Sequence, residues 1–162
     1  MKKLVLFAAA CAALLLGAAA ATASGTAGSS KPVLGKPTVI MRFLEVQTGM
    51  TATAPLSQRP TFGERFWFHS DFYKWNGTRR GAHLGHANAS GVVLPAETME
   101  VTGVASLPGG TITVVGQEGM QRGSTLAVVG GTGVYATARG EVVIQPLGGD
   151  ESKSADVVRL WI

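Results

Sequence analysis

An all-β fold is predicted by three features of this 162-residue chain. Short runs rich in β-branched and aromatic residues alternate with period two, glycine, proline and Asn-Gly clusters separate them at short intervals, and no run holds a 3.6-residue apolar period. Eight such runs can be counted. An open sheet of that size leaves two edges of unpaired backbone groups, which closure into an antiparallel barrel removes. The expected fold is therefore an eight-stranded closed β-barrel. A two-sheet sandwich is the alternative that strand number and turn spacing leave open.

The chain begins Met1-Lys2-Lys3, runs apolar from Leu4 to about Ala21 and ends that run on Ala21-Thr22-Ala23 before Ser24. A basic start, an alanine and leucine stretch and an A-x-A site form a secretory signal peptide, residues 1–23, cleaved near Ala23. The apolar run also approaches bilayer length, but no basic stop-transfer cluster follows it, so no stable membrane insertion is expected once the signal is removed. Cys11, the one cysteine, leaves with that segment. Disulfides, cysteine nucleophiles and thiolate metal sites are thus excluded from the mature chain. Lys2 and Lys3 leave too, so 12 basic residues remain against 10 acidic, a net +2. Neither this balance nor any basic cluster beyond Arg79-Arg80 suggests nucleic acid.

Residues 24–37, rich in Gly, Ser, Pro and Lys, read as a flexible leader, and 38–162 as a single barrel domain. The first strand is expected over 38–48. Its alternation puts Val39, Met41, Phe43, Glu45 and Gln47 on one face, and residues 49–63 follow as a long loop. The second, 65–75, sets Phe66, Phe68, Ser70 and Phe72 against Trp67, His69, Asp71 and Tyr73. Asn76-Gly77 then signals a tight type I′ hairpin. A third strand from about Thr78 to Leu94 and a fourth over 98–107 come next, and Pro108-Gly109-Gly110 turns the chain into three staves at 111–117, 124–129 and 134–144. The last of these would align Tyr135, Thr137, Arg139 and Glu141 on one side. A polar loop leads to a final strand over 157–162.

Several motifs are weighed on this frame. Leu126 to Ala136 contains a G-x-G-x-x-A pattern, but strand alternation follows it instead of the helix that a phosphate cradle requires. His83 and His86, three apart on a strand, point to opposite faces unless a bulge intervenes, so no metal site is expected. Ser90 and Ser124 lack a nucleophile elbow. If the Glu45 face is interior, a carboxylate is buried there and its neutral form favoured, which suits an acid or an orienting group. Pairing with Arg139, or exposure, is the structural alternative. Asp71 with His69, Tyr73 and Trp67 has the composition of a ligand cavity, a few directional groups among rings, although an oligomer interface has the same composition.

Val128-Val129-Gly130-Gly131-Thr132-Gly133 followed by Ala138-Arg139-Gly140 resembles the core of the allene oxide cyclase barrel superfamily, which includes the dirigent proteins. Weaker likeness extends to Phe62-Gly63-Glu64, Asp71-Phe72-Tyr73 and Trp75-Asn76-Gly77. The resemblance implies an eight-stranded barrel, commonly a homo-oligomer (dimer or trimer), whose apolar cavity steers ring closure of an unsaturated small molecule without a cofactor. It implies a cavity-floor role for Glu45, with Gln47 where the cyclases carry an asparagine two positions on. Asp71 or Ser70 stands at the position of a second asparagine. The expected site is therefore Glu45 and Asp71 as catalytic groups, with Gln47, Trp67, His69, Tyr73, Tyr135 and Arg139 contacting the ligand. A non-catalytic stereo-directing or binding barrel, or a cell-surface interaction protein, is the competing expectation.

Overall fold

A computed structural model describes residues 35–55, 60–119, 123–148 and 152–162. The expected signal peptide and most of the leader lie outside the described residues. Eight strands, β1 (Val39–Ala52), β2 (Arg65–Trp75), β3 (Arg80–Leu94), β4 (Thr98–Leu107), β5 (Gly110–Gly119), β6 (Ser124–Gly131), β7 (Arg139–Pro146) and β8 (Lys153–Trp161), pair antiparallel in chain order. β8 returns to β1, from Val39 opposite Leu160 to Val46 opposite Lys153, and closes the barrel. This closure sets aside the sandwich: each strand has two neighbours, so no row of backbone donors and acceptors is left at an edge.

Alternation decides what fills the interior. One end is plugged by Phe43, Phe72, Leu107, Ile112, Val128, Tyr135, Val142, Val158 and Leu160, the other by Phe66, Val93, Met99, Val101 and Leu126. Phe43 and Phe72 stack at 5.4 Å between ring centroids in the first plug, and Phe66 and Phe68 at 6.0 Å in the second. Such ring pairs add about 1 kcal/mol to the stabilisation from area burial.

Four expectations about local structure are corrected. β1 runs four residues further than expected, because a register shift between Gln47 and Gly49 bends the strand and lets Met50 and Ala52 continue the inward face. Asn76-Gly77 does not form a two-residue type I′ turn. Only Gly77 has positive φ, Trp75 pairs with Arg80, and the Asn76 side-chain oxygen accepts from the backbone N–H groups of Thr78 and Arg79 at 3.1 and 2.9 Å. An asparagine side chain that bonds its own backbone two residues on opens a wider turn.

The seventh stave starts at Arg139, not Val134, because Gly133–Tyr135 is a single 3₁₀ turn. The eighth starts at Lys153, four residues before the expected point.

The glycine motif explains that 3₁₀ turn. Gly133 has φ +60°, and a Cβ there would lie 2.0 Å from the Gly109 carbonyl oxygen. Only glycine lets the turn press onto the β4–β5 hairpin. The contact is fixed by Val134 N–H to the Gly109 carbonyl at 3.0 Å, by Thr132 N–H to the Thr111 carbonyl at 2.9 Å and by the paired Thr111 and Thr132 hydroxyls, also at 2.9 Å. The chain then enters β7, so no helix follows the motif to receive a phosphate.

Candidate functional site in the barrel lumen

Between the two plugs the inward face changes character. Along β1 the inward positions read Phe43, Glu45, Gln47 and then, past the bulge, Met50; along β2 they read Phe72, Ser70 and Phe68. Along β8, Leu160 and Val158 give way to Asp156 and Ser154. Register aligns these side by side: Glu45 is opposite Ser154 on one side and Phe72 on the other, and Gln47 is opposite Ser70. From the far wall β5 contributes Glu118, two inward positions beyond Val114.

The lumen here is not solid. Phe68, Ala87, Ala89, Val114 and Gly116 lie mid-strand on inward positions, yet each remains partly accessible, as do Glu45, Gln47 and Glu118. Close-packed interiors bury such positions completely. Ala87 and Ala89 keep the β3 side chains short at this level, whereas Gly103 and Gly116 are glycines because Ala89, Val114 and Leu126 pack closely over them.

Electrostatics single out two acids. Asp156 is 3% exposed, and its Oδ1 accepts from the Ser154 hydroxyl at 2.7 Å. Its pKa is raised well above the ordinary carboxylate range. Burial is the main cause; the Glu45 carboxylate adds to it by repelling the charged form and by hydrogen bonding to the neutral one, and Glu118 adds a smaller repulsion. The protonated form of Asp156 is thus favoured. Burial, and then repulsion by Glu45, pushes Glu118 up to about 6. Glu45 thus raises the cost of charging both Asp156 and Glu118.

The structure brings Glu45 and Gln47 to this lumen and distributes the other expected site residues elsewhere. Trp67, His69, Asp71 and Tyr73 occupy the outer face of β2, because their neighbours Phe66, Ser70 and Phe72 are the buried set. The expectation that they line a cavity with Glu45 is therefore corrected. Asp71 pairs with His83 at 3.3 Å, His69 bonds Asn88 at 2.9 Å, and Tyr73 carries the Arg80 guanidinium 4.7 Å above its ring. The β2–β3 register shift puts His83 and His86 on this same outer face, but no cluster of described residues has metal-ligand geometry.

Tyr135 is buried in the first plug and donates to the Pro108 carbonyl at 3.2 Å. Arg139 lies on the outer wall, in a groove of about 290 Å³ with Val128, Glu141 and Trp161. It does not reach Glu45 or Glu141: its Nη1 donates to the Ala138 carbonyl at 2.8 Å, and Glu141 pairs with Arg159 at 2.6 Å. The 3₁₀ turn shifts the phase between Tyr135 and Arg139, so the face they were expected to share does not exist.

Sequence reasoning misses Asp156 and Glu118 for different reasons. It puts Asp156 in the loop before the last strand, although Ser154, Asp156, Val158 and Leu160 already alternate. Glu118 continues the Ile112, Val114, Gly116 series by the same rule, one residue past the expected strand end.

No protein-family model matches the chain, and no curated protein does. Solved structures do match. Pyocyanin demethylase superposes with a TM-score of 0.61 at 17% identity, over 76% of this chain and 100% of that one. The pterocarpan synthase dirigent protein GePTS1 gives 0.57 at 18%, over 75% and 85%. The Diels–Alderase AbmU from Streptomyces koyangensis gives 0.61 at 17%, over 75% of this chain and 63% of its own. What they share with this chain is the eight-stranded barrel, the dirigent-like and cyclase-like fold expected from the glycine motif.

Proposed function

We propose that this chain is a secreted barrel that takes an apolar, unsaturated small molecule into its lumen and directs its cyclisation or isomerisation. The observation that carries this reading is the interacting Glu45–Asp156 pair set between two apolar plugs in an accessible lumen. Dirigent and Diels–Alderase barrels among the structural neighbours support the reaction class. The N-terminal sequence pattern supports secretion, and assembly as a homo-oligomer rests on the family resemblance.

In this reading the lumen wall restricts a flexible substrate to folded conformers, which alone accelerates an intramolecular ring closure. Neutral Asp156 donates a hydrogen bond to an oxygen that gains electron density, and the Glu45 carboxylate faces carbon that loses it. No proton need be transferred irreversibly, so the pair begins and ends each turnover in the same state. A non-catalytic, stereo-directing role is the second reading, favoured by the dirigent neighbours.

Incubation of the mature protein with a polyene, an epoxide and a phenoxy-radical precursor separates the two. A faster rate than the blank supports the cyclase, and an unchanged rate with altered product chirality supports the stereo-directing role. Neither effect on any of the three sinks both. On a substrate that is turned over, Glu45→Gln is expected to lose at least about tenfold in kcat, the scale of one acid or electrostatic contact.

A further inference from the structure

Among the described residues, the inward-facing strand positions between the plugs carry three carboxyl groups and no basic side chain. Arg42, Arg139, Lys153 and Arg159 all lie on outward positions, and Lys74, although on the inward register, is exposed beyond the Phe43–Phe72 stack. This is an unusual lining for a site that takes a fatty-acid-like anion.

A second observation is independent of the acids. Ser70 is 4% exposed, points inward opposite Gln47 and diagonally from Glu45, and makes no side-chain hydrogen bond to any described residue. Among the described residues every fully buried side-chain polar atom has a partner, so the Ser70 hydroxyl must meet the lumen space. A nearly buried hydroxyl without a protein partner is costly unless something in that space bonds it.

Resting on the reading of the lumen as a small-molecule site, we infer that its occupant carries one cationic nitrogen with N–H donors, a protonated amine or amidine on an apolar skeleton, seated among Glu45, Asp156, Glu118 and Ser70. The donors of such a group match what the lining offers: carboxylate oxygens from opposite walls and a serine oxygen between plugs. The cation also relieves the mutual repulsion of the acids, which a neutral ligand does not and a carboxylate would worsen. The apolar remainder contacts Phe68, Val114 and the small residues Ala87 and Ala89.

Three probes on one skeleton test this: 1-naphthylmethylamine, 1-naphthylmethanol and 1-naphthoate, titrated calorimetrically against the mature protein at pH 7. The amine is expected to bind at least about tenfold tighter than the alcohol, the scale of one charge-assisted contact in a partly dry site, and the naphthoate more weakly than either. Glu118→Gln should erase most of that preference while leaving the alcohol's affinity unchanged, and Asp156→Asn, which removes an acid that the cation helps to ionise, should reduce it further. Ser70→Ala should weaken the amine alone.

Equal affinities across the three probes, tightest binding of the naphthoate, or an amine preference that survives both acid substitutions overturns the inference. If the alcohol still binds in those outcomes, the apolar-lumen reading stands without it. If none of the three binds, both fall.

Discussion

Glu118→Gln offers a direct measurement of how much the acidic lumen costs the fold. The pKa of Glu118 is pushed from 4.5 to about 6, so the folded state holds its proton more tightly than the unfolded chain. A raised pKa gives stability that is fully present below pH 4.5 and is lost as pH climbs through 6. At pH 8 the charged form therefore costs about 2 kcal/mol relative to pH 4, each tenfold gain in proton affinity being worth about 1.4 kcal/mol.

Glutamine has the same shape and no charge, so Glu118→Gln should stabilise the protein by up to about 2 kcal/mol at pH 8 and by nearly nothing at pH 4. For a domain of this size that is roughly 4–8 °C in Tm. Urea denaturation of the wild type and the variant at both pH values reads the difference. A gain that is the same at both values, or a loss at pH 8, would refute the assignment of Glu118 to the lumen. Because part of the rise comes from Glu45, the gain should shrink when Glu45→Gln is already present.

Other substitutions probe the frame. Gly133→Ala forces a side chain into left-handed backbone against the Gly109 carbonyl and should cost more than about 3 kcal/mol by chemical denaturation. Ala96→Gly relieves the one described non-glycine residue with positive φ, at 64°, and should be neutral or stabilising by up to about 1 kcal/mol. Asn76→Ala removes the acceptor of two turn N–H groups and should cost about 1 kcal/mol. Arg159→Ala breaks only a half-exposed pair with Glu141 and should change stability by less than about 1 kcal/mol, less still in high salt.

The barrel was legible in the sequence because period-two alternation and glycine punctuation are properties of single strands and turns. β2 and β4 fall within their expected bounds. Alternation placed Glu45 and Gln47 on one face with Met41 and Phe43, but Ile40, Leu44 and Val46 make the opposite face apolar too, so the period alone left open which face is the interior.

The face of β2 misled for a physical reason. Both of its sides are aromatic, so hydrophobicity could not say which is buried; Phe66, Phe68 and Phe72 stand opposite the small residues Gly91, Ala89 and Gly85 of β3 and face inward, which leaves Trp67 and Tyr73 outside. The assembly of Glu45, Glu118 and Asp156 is a property of closure. Three strands far apart in the chain must curl onto one axis before their carboxyls meet, and spacing along the sequence carries no trace of that.

The pairing of β1 with β8 has a temporal consequence. Glu45 and Asp156 come from the first and last strands, joined by contacts across more than a hundred residues of chain, whereas every other neighbouring pair of strands is also adjacent in sequence. Non-local contacts of this kind form late, because the loop-closure entropy must be met before they contribute. The seam that completes the barrel is thus also where the Glu45 and Asp156 acids first meet, and the enclosed chamber exists only once the final strand has docked. A chain stalled one strand short would hold most of its ladder and have no chamber at all.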